Sequence, residues 1–466
     1  MNYRPVLAER RWYIIVTELS LSSYFVVKVK NLLERSNFLN RLAILGGTPV
    51  RQKAWPRWPM TDEKINEYLI DVAHSGRWGM GGKFNGTPLY NLRFEDAFAK
   101  FHNALYCVTV ANGSAALAIA LEALGVGFGD EVIIPGLSWI SCATAVTRIG
   151  AIPILVDVEP ETLCISVESV QKAITEHTKA IMVVHSYCTV ADVDGLVRLS
   201  EETGIPLVED CSQAHGAEWK KQRVGTFGKI GVFSMGNSKV LSCGEGGAII
   251  SNDSALYNIL QQLRGDGYQY KKAAPIIGES QIEEVGTVQG YNYCLSEFQA
   301  AILLGGLTRL DQQNELREKN GEYFRQLCSQ IGDVTLLVRR PNINRLTYFR
   351  LCVRINLDAF GGASIQQIRK ALVAELNEAT LEPVDHPLNS YTLYKPLKSP
   401  IVRAFPSIWE RFDPTRFSLP ITCQAYKECL TFHHLMLLGN SNDIDDIANA
   451  FLKLKENGEI LKRIEL

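Results

Sequence analysis

The feature that most constrains the fold of this 466-residue chain is a regular alternation of short apolar runs with helical patterns between residues 106 and 253. Continuous Val- and Ile-rich runs separated by helices are typical of a largely parallel sheet that helices cover on both faces. We therefore predict an α/β fold with a mostly parallel, seven-stranded sheet. The predicted strands are residues 106–111, 131–135, 152–158, 180–185, 206–210, 231–235 and 247–251.

Helical patterns fill the gaps between these strands, at residues 114–124, 138–149 and 193–203 and after Ser166. Beyond about Gly305 the pattern changes to a long charged helix, then a strand near residues 348–355, then more helix. This change predicts a second, smaller α+β domain. We divide the chain into an N-terminal extension without an assigned role, a large domain and a small C-terminal domain, at residues 1–43, 44–305 and 306–466.

Composition excludes several classes of protein. A length of 466 residues suits two domains, and 46% hydrophobic with 21% charged residues is ordinary for a globular enzyme. The net charge of -2 gives no reason to expect a nucleic acid or an anionic membrane as partner. The 11 cysteines show no zinc-ligand spacing. We predict no metal site, no membrane segment, and a cytoplasmic location in which these thiols stay reduced.

In an open α/β sheet, ligands bind beyond the carboxyl ends of the strands. The first predicted strand is followed by Asn112, Gly113 and Ser114, which open a helix. Glycine lets the backbone approach a ligand closely, and a helix N-terminus offers unpaired N–H groups to a phosphate. Capping of the helix is the alternative role of Ser114. By itself this motif is a weak indication of phosphate binding.

Two further residues follow predicted strands. Asp210 ends an apolar strand, where a carboxylate can pair with a protonated pyridine nitrogen; its alternative role is to cap a loop. Lys239 lies between a strand and a glycine-rich turn. Partial removal from water there would lower its pKa, so that a neutral amine could attack an aldehyde. An isolated lysine is usually a solvated surface residue, so a chemical role of Lys239 has to be judged from its combination with the other motifs.

The motifs occur together in one order along the chain. They are Leu-Gly-Gly-Thr-Pro-Val (45–50), Asn-Gly-Ser-Ala-Ala-Leu (112–117), Glu-Asp-Cys-Ser-Gln-Ala-His-Gly (209–216), Ser-Met-Gly-Asn-Ser-Lys (234–239) and Gly-Glu-Gly-Gly (244–247). The set resembles the DegT/DnrJ/EryC1/StrS family of aminotransferases that depend on pyridoxal 5'-phosphate (PLP). The resemblance implies the PLP-dependent transferase fold of type I, similar to aspartate aminotransferase, with PLP bound by the large domain.

The resemblance implies roles for the residues around the cofactor ring. Lys239 becomes the lysine that holds PLP as a Schiff base, and it moves protons as a general base and acid. Asp210 becomes the partner of the pyridine nitrogen. Gln213 lies beside the phenolic oxygen of the cofactor, and Trp139 stacks on the ring face.

The resemblance also implies how the cofactor phosphate is held. Gly113, Ser114 and Ser234 contact the phosphate of their own subunit. Asn292 matches an asparagine that in this family reaches the phosphate of the neighbouring subunit. The predicted protein is therefore a homodimer with shared active sites.

Several segments look like one branch of the family, similar to the glutamine:scyllo-inosose and 2-deoxy-scyllo-inosose aminotransferases of aminoglycoside biosynthesis. They are Trp-Pro-Arg-Trp-Pro (55–59), Ser-Lys-Val-Leu (238–241), Asn-Tyr-Cys (292–294) and Pro-Leu-Asn (387–389). Many members of the family carry arginine at Cys294, and this branch usually has bulkier amides at Gly236 and Asn237. We predict transamination of a keto-sugar or ketocyclitol with glutamine or glutamate as amino donor, in aminocyclitol or other secondary-metabolite biosynthesis.

Other functions remain as alternatives. A nucleotide-linked keto-sugar would need cationic groups for its diphosphate, and the sequence does not place Arg77, Arg264 or Arg350 inside or outside the cleft. A PLP enzyme of another class, such as a dehydratase, is disfavoured because the dehydratases of this family replace the lysine with histidine. A non-catalytic regulator is disfavoured by intact Lys239, Asp210 and Gln213. A dehydrogenase is excluded because no G-x-G-x-x-G motif follows the first strand.

Overall fold

The computed structural model describes residues 41–465, so nearly all of the predicted N-terminal extension lies outside the described residues. The elements up to residue 264 are α1 Glu63–Ser75, α2 Tyr90–His102, β1 Tyr106–Val110, α3 Gly113–Ala123, β2 Glu131–Pro135, α4 Ser141–Arg148, β3 Ile152–Val156, α5 Val167–Ala173, β4 Thr178–Val184, α6 Val193–Thr203, β5 Leu207–Asp210, β6 Glu218–Trp219, β7 Gln222–Arg223, β8 Ile230–Ser234, β9 Gly247–Ser251 and α7 Ser254–Arg264.

The remaining elements include one helix of 35 residues, α8. In chain order they are β10 Tyr268–Tyr270, β11 Ile282–Glu284, α8 Glu297–Ile331, β12 Val334–Leu336, β13 Ile343–Arg345, β14 Arg350–Ile355, α9 Ile365–Leu376, β15 Glu382–Pro383, α10 Pro400–Arg403, α11 Trp409–Phe412, α12 Pro420–Glu428, β16 Cys429–His433, α13 Ser441–Glu456 and α14 Gly458–Leu461. Within residues 41–465, no helix combines the length and the apolar character needed to cross a membrane.

The central sheet has seven strands in the order β1-β9-β8-β5-β4-β2-β3. All pairs from β8 to β3 are parallel, and only β9 runs antiparallel to its two neighbours. The predicted fold class is therefore confirmed. Because six strands point the same way, their carboxyl ends meet at one edge, and β5 and β8 lie side by side in the middle of the sheet.

Both faces of this sheet are buried. Ile134 of β2 packs with Leu117 of α3 in one apolar cluster, whereas the preceding Ile133 packs with Leu196 of α6 in another. Successive side chains of a strand point to opposite faces, so an uninterrupted apolar run is what a sheet covered on both sides requires. This packing makes the carboxyl edge a rigid base for the loops that follow the strands.

The second half of the chain adds a separate antiparallel sheet in the order β12-β14-β16-β15. Helix α8 leads into it and begins at Glu297, so the predicted boundary after residue 305 falls inside this helix. Gly305 is a packing position inside this helix, because a Cβ there would lie 2.5 Å from Cγ1 of Ile65 in α1. The division into domains remains a prediction.

The start of the described chain is held against the C-terminal helices. The buried carboxylate of Glu375 accepts hydrogen bonds from the backbone N–H groups of Ala43 at 2.7 Å and Val50 at 3.1 Å. Arg51, which is 2% exposed, donates to Asp443 in α13 at 2.8 Å. Buried charges that are paired in this way fix a segment in place, since removal of one partner would leave the other uncompensated.

Candidate active site

Lys239 lies in the loop between β8 and β9, beside the carboxyl edge of the sheet. Its Nζ atom lies 4.1 Å from the centre of the Phe349 ring, so the amine is covered by an aromatic side chain from the second half of the chain. Removal from water lowers the pKa of Lys239 to about 8, although the carboxylates of Asp210 and Asp385 act to raise it. A neutral amine, the form that attacks an aldehyde, is therefore accessible near neutral pH.

This pKa predicts how fast apoenzyme binds PLP covalently at different pH values. An ordinary lysine has a pKa of about 10.4. Below pH 8 a growing fraction of the Lys239 amine is protonated, and only the neutral fraction attacks the aldehyde. The rate of covalent attachment should therefore rise with pH and level off above about 8. Stopped-flow absorbance of apoenzyme mixed with PLP measures this rate. A rate that still climbs steeply towards pH 10 would contradict the lowered pKa.

Asp210 is the last residue of β5, next to β8 in the sheet. Its side chain is fixed by two hydrogen bonds, one to Oδ1 from the Ser212 N–H at 2.9 Å and one to Oδ2 from the Cys142 thiol at 3.3 Å. Burial raises the pKa of the Cys142 thiol, and the Asp210 charge raises it further, so this sulfur stays protonated and donates. The carboxylate is thus 5% exposed and rigidly held at the carboxyl edge.

Gln213 lies in the loop that follows Asp210 and is 6% exposed. Its Oε1 accepts a hydrogen bond from the Tyr187 N–H at 2.6 Å, which fixes the orientation of the amide and leaves Nε2 free to donate. Tyr187 has a φ of +57°, in the left-handed region that is costly for a residue with a side chain. Such conformations are common at functional sites, where the surrounding contacts hold them.

The N-terminus of α3 lies against the end of β8. Ser114 Oγ donates a hydrogen bond at 2.9 Å to Oγ of Ser141, which is the first residue of α4. The cap of α3 is Asn112, whose side chain accepts from the Ala115 N–H at 2.8 Å, so Ser114 is not the capping residue. Its exposed hydroxyl and the first N–H groups of α3 form a set of donors of the kind that binds phosphate.

Gly113 lies so close to Ser234 that no side chain fits at this position. A Cβ at this position would lie 2.6 Å from the Cβ of Ser234, and rotation of Ser234 cannot relieve that contact. Gly113→Ala should therefore cost about 1–3 kcal/mol, lower the melting temperature and weaken PLP binding about tenfold. Gly127→Ala is the matched control, because no atom lies within 4 Å of a Cβ there. Equal PLP affinity of the two variants would contradict the predicted contact of Gly113 with the cofactor phosphate.

Trp139 lies in the loop after β2 rather than in a helix, because α4 begins only at Ser141. Its indole is 58% exposed and lines a hollow of about 210 Å³ together with Tyr187, Arg350 and Asp385. An exposed indole at the carboxyl edge of the sheet offers a flat apolar surface to a ring. The structure thus leaves Trp139 available for the stacking role that the sequence predicts.

Asn292 is placed apart from the other predicted residues. Its backbone pairs with Gly265, and the exposed side chain lines a different hollow, of about 470 Å³, formed with the segment from Trp78 to Gly81. Among the described hydrogen bonds, the Asn292 side chain makes one, accepted from the Cys294 N–H at 3.4 Å. Asn292 therefore makes no hydrogen bond to the other seven predicted site residues within one subunit.

Sequence reasoning missed Tyr187, Phe349 and Asp385. Tyr187 OH donates to Asp385 Oδ2 at 3.2 Å and accepts from the Asp385 N–H at 3.0 Å, which ties the loop after β4 to a loop of the C-terminal region. None of these residues lies in a recognisable motif, and they are far apart along the chain, so only the folded chain brings them to Lys239.

The three arginines that the sequence left unplaced have different environments. Arg264 is 1% exposed and pairs with Glu95 at 2.7 Å, so its charge is used inside the fold. Arg77 donates to the carbonyl of Thr87 at 2.8 Å and to the side chain of Gln281. Arg350 alone of the three lines the hollow beside Trp139.

These residues fit PLP. The aldehyde, the ring nitrogen, the ring face and the phosphate of PLP each find a suitable group. These are an amine beside an aromatic ring, a fixed carboxylate at a strand end, an exposed indole and a helix N-terminus with free donors. The missing side chain of Gly113 supports the same fit, because it lets the N-terminus of α3 and Ser234, both predicted to bind the phosphate, approach each other closely.

Comparison with known proteins identifies the family. A model of the DegT/DnrJ/EryC1/StrS aminotransferase family matches residues 59–451, most of the chain. The chain belongs to this family. The resemblance found in the sequence is therefore confirmed. The predictions that the protein is an aminotransferase and that PLP is its cofactor are confirmed as well. The alternatives of a dehydratase and of a non-catalytic regulator are thereby set aside.

Individual members of the family are similar over almost their full length. The L-glutamine:2-deoxy-scyllo-inosose aminotransferase of Micromonospora echinospora is 42% identical over 421 residues, 90% of this chain and 99% of that protein. The L-glutamine:scyllo-inosose aminotransferase of Streptomyces griseus is 41% identical over 416 residues, 89% of this chain and 98% of that protein.

Solved structures show the same fold. The crystal structure of 3-amino-5-hydroxybenzoic acid synthase superposes with a TM-score of 0.74 at 29% identity and covers 87% of this chain and 100% of that one. The aminotransferase of Psychrobacter cryohalolentis superposes with a TM-score of 0.71 at 25% identity, covering 87% of this chain and 99% of that one.

Proposed function

We propose that this aminotransferase transfers the amino group of glutamine to a ketocyclitol of the scyllo-inosose type. The observation that carries the proposal is 42% identity to an L-glutamine:2-deoxy-scyllo-inosose aminotransferase across 99% of that protein. The hollow lined by Trp139, Tyr187 and Asp385 supports it, because aromatic side chains and a carboxylate suit a ring that carries hydroxyl groups.

In the proposed mechanism Lys239 is the catalytic residue. PLP, when bound, supplies an electron sink for the negative charge that develops at the substrate carbon. The Lys239 amine, released when the amino donor takes its place, removes the proton from the donor Cα as general base. With glutamine as donor and a ketone as acceptor, the same amine returns a proton to the acceptor carbon in the second half-reaction.

Other predicted site residues hold the cofactor in place for this proton transfer. Asp210 keeps a proton on the pyridine nitrogen through its fixed carboxylate. Gln213 donates from Nε2 towards the phenolic oxygen, because its Oε1 is already bound by the Tyr187 N–H. When PLP is bound, Gly113, Ser114 and Ser234 would hold its phosphate, and Trp139 would stack on its ring.

The visible spectrum of the holoenzyme tests the proposal. Addition of glutamine should remove the absorbance of lysine-bound PLP as the aminated cofactor forms, and addition of 2-deoxy-scyllo-inosose or scyllo-inosose should restore it. A control reaction with glutamate shows which donor is preferred. Restoration by a nucleotide-linked keto-sugar, with no response to either ketocyclitol, would overturn the proposed acceptor.

We further infer that the active site is shared across a homodimer, with the partner subunit's Asn292 at the phosphate. Two features support this. Asn292 lines an open hollow separate from that of Trp139, and large apolar side chains near it are exposed, including Trp78 at 58% and Tyr291 at 49%. Exposed aromatic residues of this kind are enriched at protein interfaces.

Subunit complementation tests the shared site. Lys239→Ala and Asn292→Ala homodimers should each have low activity. After mixing and exchange of subunits, half of the dimers are hybrids in which one site has both intact residues, so about a quarter of full activity should return. A mixture no more active than the average of the two parents would mean that both residues act within one subunit.

A further inference from the structure

The proposed function poses a recognition problem, and the inference below rests on that function. In a two-step transamination, both substrates occupy the same hollow in turn. Glutamine carries a negatively charged α-carboxylate, whereas a ketocyclitol is uncharged and carries several hydroxyl groups. The hollow beside Trp139 must therefore bind two molecules of different charge, and its lining should offer a separate partner for each.

Arg350 supplies a cation. It is the first residue of β14, and its Nη1 donates to Thr431 Oγ1 at 3.1 Å. Thr431 is fully buried and in turn donates to the carbonyl of Glu382 at 2.9 Å, so the guanidinium is anchored at one end. Among the described residues, Nε and Nη2 of Arg350 have no hydrogen-bond partner and the side chain forms no ion pair. Two donors thus remain for a carboxylate.

Asp385 supplies an acceptor on the same hollow. Its Oδ2 accepts from Tyr187 OH at 3.2 Å, and its backbone N–H donates to the same hydroxyl at 3.0 Å. This double contact fixes the side chain, while Oδ1 has no hydrogen-bond partner among the described residues. An ionised carboxylate accepts hydrogen bonds from hydroxyl groups and repels another carboxylate.

Both residues lie close to the reacting amine. The Phe349 ring lies 4.1 Å from Nζ of Lys239 and 5.8 Å from Cζ of Arg350. Asp385 is joined through Tyr187 to Gln213, beside the proposed position of the cofactor. The two opposite charges line one hollow with Trp139 and Tyr187 and do not form an ion pair with each other.

We propose that Arg350 and Asp385 divide the recognition of the two substrates: Arg350 binds the α-carboxylate of the amino donor, and Asp385 accepts hydrogen bonds from the hydroxyl groups of the ketocyclitol. Each residue favours one substrate. The Asp385 charge disfavours a carboxylate placed on its side of the hollow, which orients the donor towards Arg350. The uncharged acceptor gains little from Arg350 and binds through Asp385.

The two half-reactions, measured separately on holoenzyme, test this division. Arg350→Gln should raise the glutamine concentration for half-maximal rate about 10- to 100-fold, the size of a lost hydrogen bond to a charged group, and leave the acceptor half-reaction within about twofold. Asp385→Asn should raise the ketocyclitol concentration for half-maximal rate by a similar factor and leave the glutamine half-reaction within about twofold. Arg354→Gln is the matched control: Arg354 lies on the same strand, pairs with Glu428 at 2.9 Å and does not line the hollow.

A second measurement separates recognition from a structural role. Wild-type enzyme should prefer glutamine to its α-carboxamide, and Arg350→Gln should lose that preference, whereas Arg350→Lys should keep part of it. Equal damage to both half-reactions, or an unchanged preference in Arg350→Gln, would overturn the inference. Failure of the wild-type enzyme to react with glutamine would instead overturn the proposed function.

Discussion

Lys239→Ala is expected to lower the rate of transamination by roughly 10⁴-fold, because it removes both the covalent anchor of the cofactor and the general base. The variant should bind PLP without covalent attachment, so borohydride reduction should leave no cofactor on the protein. Mass spectrometry of the reduced protein measures the attachment, and absorbance after addition of glutamine measures the half-reaction.

Lys229→Ala is the matched control for this substitution. Lys229 is exposed and immediately precedes β8, at the opposite end of the strand that leads to Lys239. It should retain covalent PLP and full activity. Stable cofactor attachment to the Lys239→Ala protein after reduction would show that another lysine holds PLP, and the proposed site would then be wrong.

Asp210→Asn is expected to lower the rate about 10²- to 10³-fold, the size of one preorganised electrostatic contribution to a transition state. Asparagine keeps the shape of the side chain and can still accept from the Ser212 N–H. It cannot hold a proton on the pyridine nitrogen, so the ring becomes a poorer electron sink. The expected loss is in kcat with a smaller change in KM, which steady-state kinetics with glutamine as varied substrate measure.

Asp192→Asn controls for the change of charge near the sheet. Asp192 caps α6 by accepting from the Gly195 N–H at 3.2 Å, and asparagine caps helices as well as aspartate does. This variant should keep its activity and its melting temperature. An Asp210→Asn enzyme with wild-type kcat would mean that Asp210 only fixes the loop, which was the alternative role considered from the sequence.

Local patterns in the sequence determined the central sheet. Its strands were predicted to within two residues at each end, because a buried parallel strand needs an uninterrupted apolar run and a helix usually ends at a glycine such as Gly204. The predicted helix at 138–149 began too early, since the loop that carries Trp139 precedes α4. The long helix predicted beyond Gly305 begins earlier, at Glu297, and Gly305 lies inside it, where it packs against α1.

The sequence by itself also determined the residues proposed to hold PLP, because Gly113, Asp210, Gln213 and Lys239 lie in short motifs whose order along the chain carries the resemblance to the family. Only the tertiary structure brought Arg350 and Asp385 to the same hollow. These two residues come from different strands and loops of the second half of the chain, and their position depends on how the second sheet packs against the first. The physical reason is that long-range packing, rather than local spacing, decides which side chains face the substrate.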